Sequence, residues 1–124
     1  ETYQALTAYR RFIEDNPDSP LVADARDRIS EGRGRLAKKE YLAGRLYHRQ
    51  GHLQAARMTY EQLVNAYPQT SWYWHALAQL GVVARSQGKS EEARGHWQEV
   101  LQGDTEDKDL LEDVRKWMAQ LDKE

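Results

Sequence analysis

Four histidines, His48, His52, His75 and His96, are the side chains of this sequence best placed for metal or proton chemistry. His48 and His52 have the four-residue spacing that sets two imidazoles on one helix face, as in many zinc sites. Gly51 lies between them in Gln50-Gly51-His52. A glycine that closes a helix there turns the two rings onto different faces. No third ligand clusters with them, and there is no HExxH. No serine or threonine sits in a nucleophile elbow, and Gly32-x-Gly34, in an arginine-rich stretch, lacks the phosphate-cradling pattern. The absence of cysteine excludes a disulfide framework and thiolate chemistry. The remaining carboxylates are scattered. The expectation is a protein that is not an enzyme, with no metal and no cofactor.

What the sequence does offer is binding chemistry. Trp72-Tyr73-Trp74-His75 sets three aromatics about 100° apart around a helix, so one core cannot take them all. One reading packs one or two of them on a preceding helix pair and lays the last over a loop. The other makes them an exposed aromatic anchor for a protein partner, since Trp and Tyr bury large areas at small entropic cost. The 18 Lys and Arg nearly balance 20 Asp and Glu, which argues against a nucleic-acid binder held by phosphate contacts. The charges are nevertheless segregated. Arg10–Arg57 holds 11 basic and 7 acidic residues, net +4, and Met58–Glu124 holds 7 and 12, net −5. No apolar run approaches the ~20 residues of a membrane span.

The element that must position these residues is Leu36–Pro68. It reads as two antiparallel helices broken at Gln50-Gly51-His52. Tyr41, Gly44 and Tyr47 before the break, and Leu53, Ala56, Tyr60, Leu63 and Val64 after it, recur at helical spacing. Pro68 stops the second helix. Gly81, Gly88, Ala93, Trp97, Val100 and Leu101 repeat Gly44, Gly51, Ala56, Tyr60, Leu63 and Val64 at an offset of 37. Ala5, Tyr9, Phe12, Ile13 and Pro17 match Ala56, Tyr60, Leu63, Val64 and Pro68 at an offset of 51. A period in the thirties marks a helical solenoid. The residue types resemble the tetratricopeptide repeat (TPR), which implies an all-α array of antiparallel helical hairpins, an α-α superhelix. One domain of four parts is expected over 1–124: the second helix of a truncated repeat (1–17), a repeat with an extended first helix (18–68), a second repeat (69–103), and a capping helix (104–124).

The extension is arithmetic. The numbering advances by 34 from Pro17 to Gly51 but only by 20 from Pro68 to Gly88. The surplus of 14 is close to four helical turns. One helix is therefore predicted over Pro20–Gln50, with Pro20 in its first position and an unrotated stripe of Val22, Ala25, Ile29, Leu36 and then Leu42 or Ala43. Gly32 and Gly34 weaken it or bend it, the continuous helix being favoured. The other expected helices are Thr2–Glu14, His52–Ala66, Thr70 or Ser71 to Gln87, Ser90–Gly103 with Ser90 as cap, and a last one opened by Asp104 or Thr105.

By resemblance to TPR arrays, the inner face carries Lys38, Tyr41, Leu42, Arg45, His48 and Arg49, then His75, Ala78, Gln79, Val82 and Arg85. That face is basic and suits an acidic helix or peptide; a solvated charged face is the competing reading. Tyr41 and Arg45 stand where carboxylate-clamp TPRs have Lys and Asn. The long helix, Arg35-Leu36-Ala37-Lys38-Lys39-Glu40-Tyr41, Tyr47, Gly51 and Tyr67-Pro68-Gln69-Thr70 closely resemble the BamD (YfiO/ComL) family of outer-membrane β-barrel assembly lipoproteins, over roughly Ala8–Leu101. The resemblance implies a scaffold on the periplasmic face of the outer membrane, lipid-anchored in full length. It also implies docking to the barrel-assembly protein's periplasmic domains and to other lipoproteins of the complex. The candidate contact residues are Lys38, Tyr41, Arg45, His48, Arg49, Arg57, Trp72, Trp74, His75 and Arg85. Thr59 stands where that family often carries a docking arginine, and Arg57 lies half a turn away. With no initiator Met and first residues that read as mid-helix, the sequence is expected to be an excised fragment. Two other readings stay open: a periplasmic TPR adaptor of the CpoB/YbgF type, which lacks the extension, and a TPR docking module of a larger regulatory or enzyme protein.

Overall fold

The computed structural model describes residues 2–124, and among these the regular elements are six helices, with no strand. They are α1 (Thr2–Asp15), α2 (Val22–Arg49), α3 (Leu53–Ala66), α4 (Trp72–Ser86), α5 (Ser90–Gln102) and α6 (Lys108–Lys123). Each packs on the next in sequence, and α2 also packs on α4. This is an all-α, TPR-like helical array.

The two hairpins close in the same way. Gly51 and Gly88 have φ of +79° and +77°, conformations that a Cβ strains. His52 N–H reaches back to the Tyr47 carbonyl at 2.9 Å, and Lys89 N–H to the Ala84 carbonyl at 2.9 Å, so each glycine ends its helix with the same crossed pair of bonds. Inside each hairpin a glycine faces an aromatic ring. A methyl on Gly44 would stand 2.6 Å from Cε1 of Tyr60, and Gly81 is pressed in the same way by Trp97. Tyr60, Leu63, Trp97, Val100, Val83 and Val114 are the largest fully buried side chains, so the core lies between α3, α4, α5 and α6.

α2 runs unbroken for 28 residues through Gly32 and Gly34. The two glycines differ. A methyl on Gly32 would meet Leu6 Cδ2 at 2.7 Å, so this glycine lets α1 approach, whereas nothing lies within 4 Å of one on Gly34. Three expectations are corrected at this helix. It starts at Val22, because Pro20 and Leu21 form a turn held by Ser19, whose hydroxyl accepts from Leu21 N–H (3.1 Å) and whose carbonyl accepts from Val22 N–H (3.2 Å). Its apolar stripe does rotate. Val22, Ala25, Gly32 and Leu36 are buried in the first half, but Ala37 and Gly44 in the second, a shift of one residue or about 100°. Leu42 is left 40% exposed. The cause is that α1 and α3 use different sides of α2. α1 lies along its first half, with Leu6 on Gly32, and α3 along its second, with Tyr60 on Gly44. The surplus of 14 equals the length of α3, 14 residues, so it supplies a berth one helix long. The ends of α1 and α3 meet through the Tyr3 and Tyr67 hydroxyls, 3.3 Å apart.

Two helix starts also differ from expectation. Ser90 is the first residue of α5 and Lys89 holds the cap position, and among the described residues no side chain caps this helix start. α6 begins at Lys108 rather than at Asp104 or Thr105. Thr105 Oγ1 instead takes the Asp107 amide (3.2 Å), and Asp107 is the cap, its carboxylate accepting from Leu110 N–H at 3.0 Å. α6 then covers α5 with Leu110, Val114 and Leu121, sets Trp117 5.8 Å from Trp97, and pairs Asp122 with Arg94. No helix of the described residues is long and apolar enough to cross a membrane.

Candidate functional site

The ten candidate contact residues fall into three groups. Lys38, Arg45 and Arg49 are exposed on α2, and none has an ion-pair partner among the described residues. They share one face because 38, 45 and 49 are seven and four residues apart. No carboxylate occurs from Tyr41 to Tyr60, so nothing on this segment neutralises them. His48 is half-buried beside them.

A second group is an aromatic bridge between α2 and α4. Tyr41 lies 5.1 Å from Trp72, 6.0 Å from His75 and 5.8 Å from Tyr60, and Trp72 lies 5.6 Å from His75. Burial pushes the Tyr41 phenol up, with Arg45 partly opposing it, so Arg45 is close enough to act on that ring. His75 Nε2 is 3.1 Å from the Asp107 carboxylate, which ties this bridge to the N-terminus of α6. The four consecutive aromatic positions thus divide by direction. Trp72 and His75 join the bridge, Tyr73 offers its hydroxyl to Glu99 at 3.3 Å, and Trp74 lies on Gly103 in the loop after α5.

The third group is engaged within the chain. Arg57 pairs with Glu92 of α5, lies 3.5 Å from Glu61, and donates to Gln87 Oε1 at 3.4 Å. Arg85 stacks 5.5 Å over the Trp97 ring. Thr59 is buried and returns its hydroxyl to the Ala55 carbonyl, 2.8 Å away. At that position there is no side chain for a partner to reach.

Sequence reasoning passed over Leu46, which is 54% exposed and one turn from Leu42. Tyr47 is also 40% exposed, although its spacing puts it in the apolar stripe. The signal was available: Leu42, Leu46 and Arg49 are spaced to flank one another on a segment without carboxylates. The second half of α2 therefore presents apolar side chains among cations with no ion-pair partner among the described residues. Among the described residues, no three His, Asp or Glu side chains come together as a metal site.

Stacked hairpins with small-residue seams, and a partly apolar, basic face on the second half of α2, define a helical-repeat protein. The family model of YfiO, an outer membrane lipoprotein, matches residues 1–99. The outer membrane protein assembly factor BamD of Caulobacter vibrioides is 32% identical over 93 residues, which is 75% of this chain and 30% of that protein. The chain belongs to the YfiO family of outer membrane lipoproteins. It spans about 30% of the length of that relative.

Proposed function

We propose that this chain is part of a protein-docking scaffold for outer-membrane β-barrel assembly, acting at the periplasmic side of the membrane and held there by a lipid anchor. The family and the relative's role in outer membrane protein assembly support the setting. The observation that carries the docking role is the exposed face on the second half of α2. Lys38, Arg45 and Arg49 project without counter-charges beside exposed Leu42 and Leu46. Burying apolar area supplies affinity, and cations that lose water only on docking select an acidic partner. The matching partner is an acidic amphipathic helix or strand edge on the periplasmic domains of the barrel-assembly protein, or on another lipoprotein of the complex. Tyr41, Trp72 and His75 form the rigid floor that fixes α2 against α4, so the docking face keeps its shape in the absence of the partner.

The 28-residue α2 favours this reading over a periplasmic adaptor with hairpins of ordinary length. Charge reversal at Arg45 and Arg49 in the full-length protein tests it. Capture of the barrel-assembly protein falls and loses salt sensitivity while helicity is unchanged; undiminished capture removes this face from the account.

A further inference from the structure

Acidic surface separates from basic surface in the fold as it does in the sequence. No lysine or arginine occurs from Met58 to Ala84, a stretch that covers most of α3 and α4. Here α3, α4 and α5 enclose a groove of about 390 Å³. Its floor is Leu77 and Leu80 of α4, 2% and 4% exposed. Glu61, Val64 and Asn65 of α3 form one wall, and His96 and Glu99 of α5 form the other.

The walls follow from helical spacing. Arg57, Glu61 and Asn65 stand four residues apart along α3, and Glu92, His96 and Glu99 four and three apart along α5. The pair of Arg57 with Glu92 joins the two rows at one end. Three carboxylates, those of Glu61, Glu92 and Glu99, thus meet the single cation of Arg57, which leaves two formal negative charges. Arg57 is committed to Glu92 and reaches Glu61 only at 3.5 Å. Even so, Glu92 Oε2 is buried with no hydrogen-bond partner among the described residues. Glu99 accepts from the Tyr73 hydroxyl at 3.3 Å, and Arg94, the other cation of α5, is held by Asp122 and Glu91. Among the described residues, no three His, Asp or Glu side chains cluster tightly enough for a metal ion. What suits an apolar floor between separated carboxylates is a cation on a long aliphatic stem.

We propose that this groove is a second docking surface, which takes a lysine or arginine from a basic amphipathic helix of another protein. The stem lies along Val64, Leu77 and Leu80, and the charged head sits between Glu61 and Glu99, with the Asn65 carbonyl as a further acceptor. Leu77 and Leu80 lie roughly 140° round α4 from Trp72 and His75, which meet α2, so the groove and the basic face occupy different sides of α4. One chain can then hold an acidic partner on α2 and a basic partner across α3 and α5 at the same time. Opposite charge keeps each partner off the other's site.

The test is methyl NMR of the full-length protein titrated with a synthetic amphipathic helical peptide of leucine and lysine, and with its leucine and glutamate counterpart. The lysine peptide is expected to shift the Val64, Leu77 and Leu80 methyls to saturation, and the glutamate peptide to leave them in place. Glu61→Gln with Glu99→Gln is expected to weaken the lysine peptide about five- to tenfold. Both side chains are exposed, so helicity is expected to hold; if it does not, Glu61→Gln alone is read. Glu106→Gln with Asp113→Asn makes the same change in net charge at exposed sites outside the groove, and is expected to leave the affinity unchanged. Equal weakening by the two double variants overturns the proposal, because it assigns binding to net charge. Undiminished affinity of Glu61→Gln with Glu99→Gln overturns it, and so do equal methyl shifts from the two peptides. Arg45 and Arg49 take no part in these measurements, so the failure of either surface leaves the other standing.

Discussion

The ring of Tyr60 lies directly against Gly44, so close that a methyl at Gly44 would stand 2.6 Å from Cε1 and 2.9 Å from Cδ1. The two residues come from the helices of one hairpin, and their contact sets how near α2 and α3 can run. Trp97 and Gly81 repeat the relationship in the next hairpin, with a hydrogen bond from Trp97 Nε1 to the Ala78 carbonyl at 3.0 Å.

Gly44→Ala and Gly81→Ala are expected to destabilise the fold by about 1–3 kcal/mol each, the usual range for an overpacked core. Gly34→Ala and Gly95→Ala meet nothing within 4 Å in helix interiors. Those two are expected to stabilise by about 0.4–1 kcal/mol through lost unfolded-state entropy. Denaturant midpoints followed by circular dichroism separate the two pairs, and a shared direction of change would refute the seam.

Tyr60 has a buried hydroxyl with no hydrogen-bond partner among the described residues. Burial, then the neighbouring Tyr41, push this phenol far up. Tyr60→Phe keeps the ring on Gly44 and removes the unpaired group. Its expected effect is neutral to stabilising, up to about 1 kcal/mol. Tyr60→Ala leaves a cavity and is expected to lose about 3–5 kcal/mol. The difference between the two in urea unfolding isolates the ring from the hydroxyl.

Arg57 joins α3 to α5 through Glu92 and to the α4–α5 turn through Gln87. Arg57→Ala is expected to reduce stability by about 1–3 kcal/mol, because it leaves Glu92 half-buried without its cation. A double-mutant cycle with Glu92→Gln measures the coupling. Zero coupling would release Arg57 for a role with a partner.

Alkaline pH probes the junction of α1 and α3. Burial, and then the hydrogen bond with Tyr3, raise the Tyr67 phenol from 10.0 to about 12. A group whose folded pKa lies above its unfolded value holds its full contribution below the unfolded pKa and loses it as pH rises. Stability is therefore expected to fall between pH 10.0 and about 12, and less so in Tyr67→Phe. Tyrosinate absorbance that tracks free tyrosine throughout would contradict the burial of this ring.

The hairpins were legible because their determinants are local. Gly51, Gly88 and Pro68 act on their own backbone, and the glycine–aromatic spacing recurs intact. The rotated stripe of α2 was not legible in the same way. Counting turns from Leu36 to Leu42 or Ala43 assumes one partner, whereas α2 has α1 on one side and α3 on another. The starts of α2 and α6 slipped by two to four residues because Ser19 and Thr105 hold the preceding turns with their own hydroxyls. The basic face could be read as charge. Which cations stay free could not, since Arg57 and Arg85 meet their partners, Glu92 and Trp97, only once the hairpins stack.

The most direct measurement is calorimetric binding of the full-length protein to the periplasmic domains of its cognate barrel-assembly protein, with and without Arg45→Glu and Arg49→Glu. Two reversed contacts of about 1 kcal/mol each predict a loss of at least about tenfold in affinity and a weaker salt dependence, with the helical spectrum unchanged. Equal affinity and equal salt dependence for the variant would contradict docking on this face.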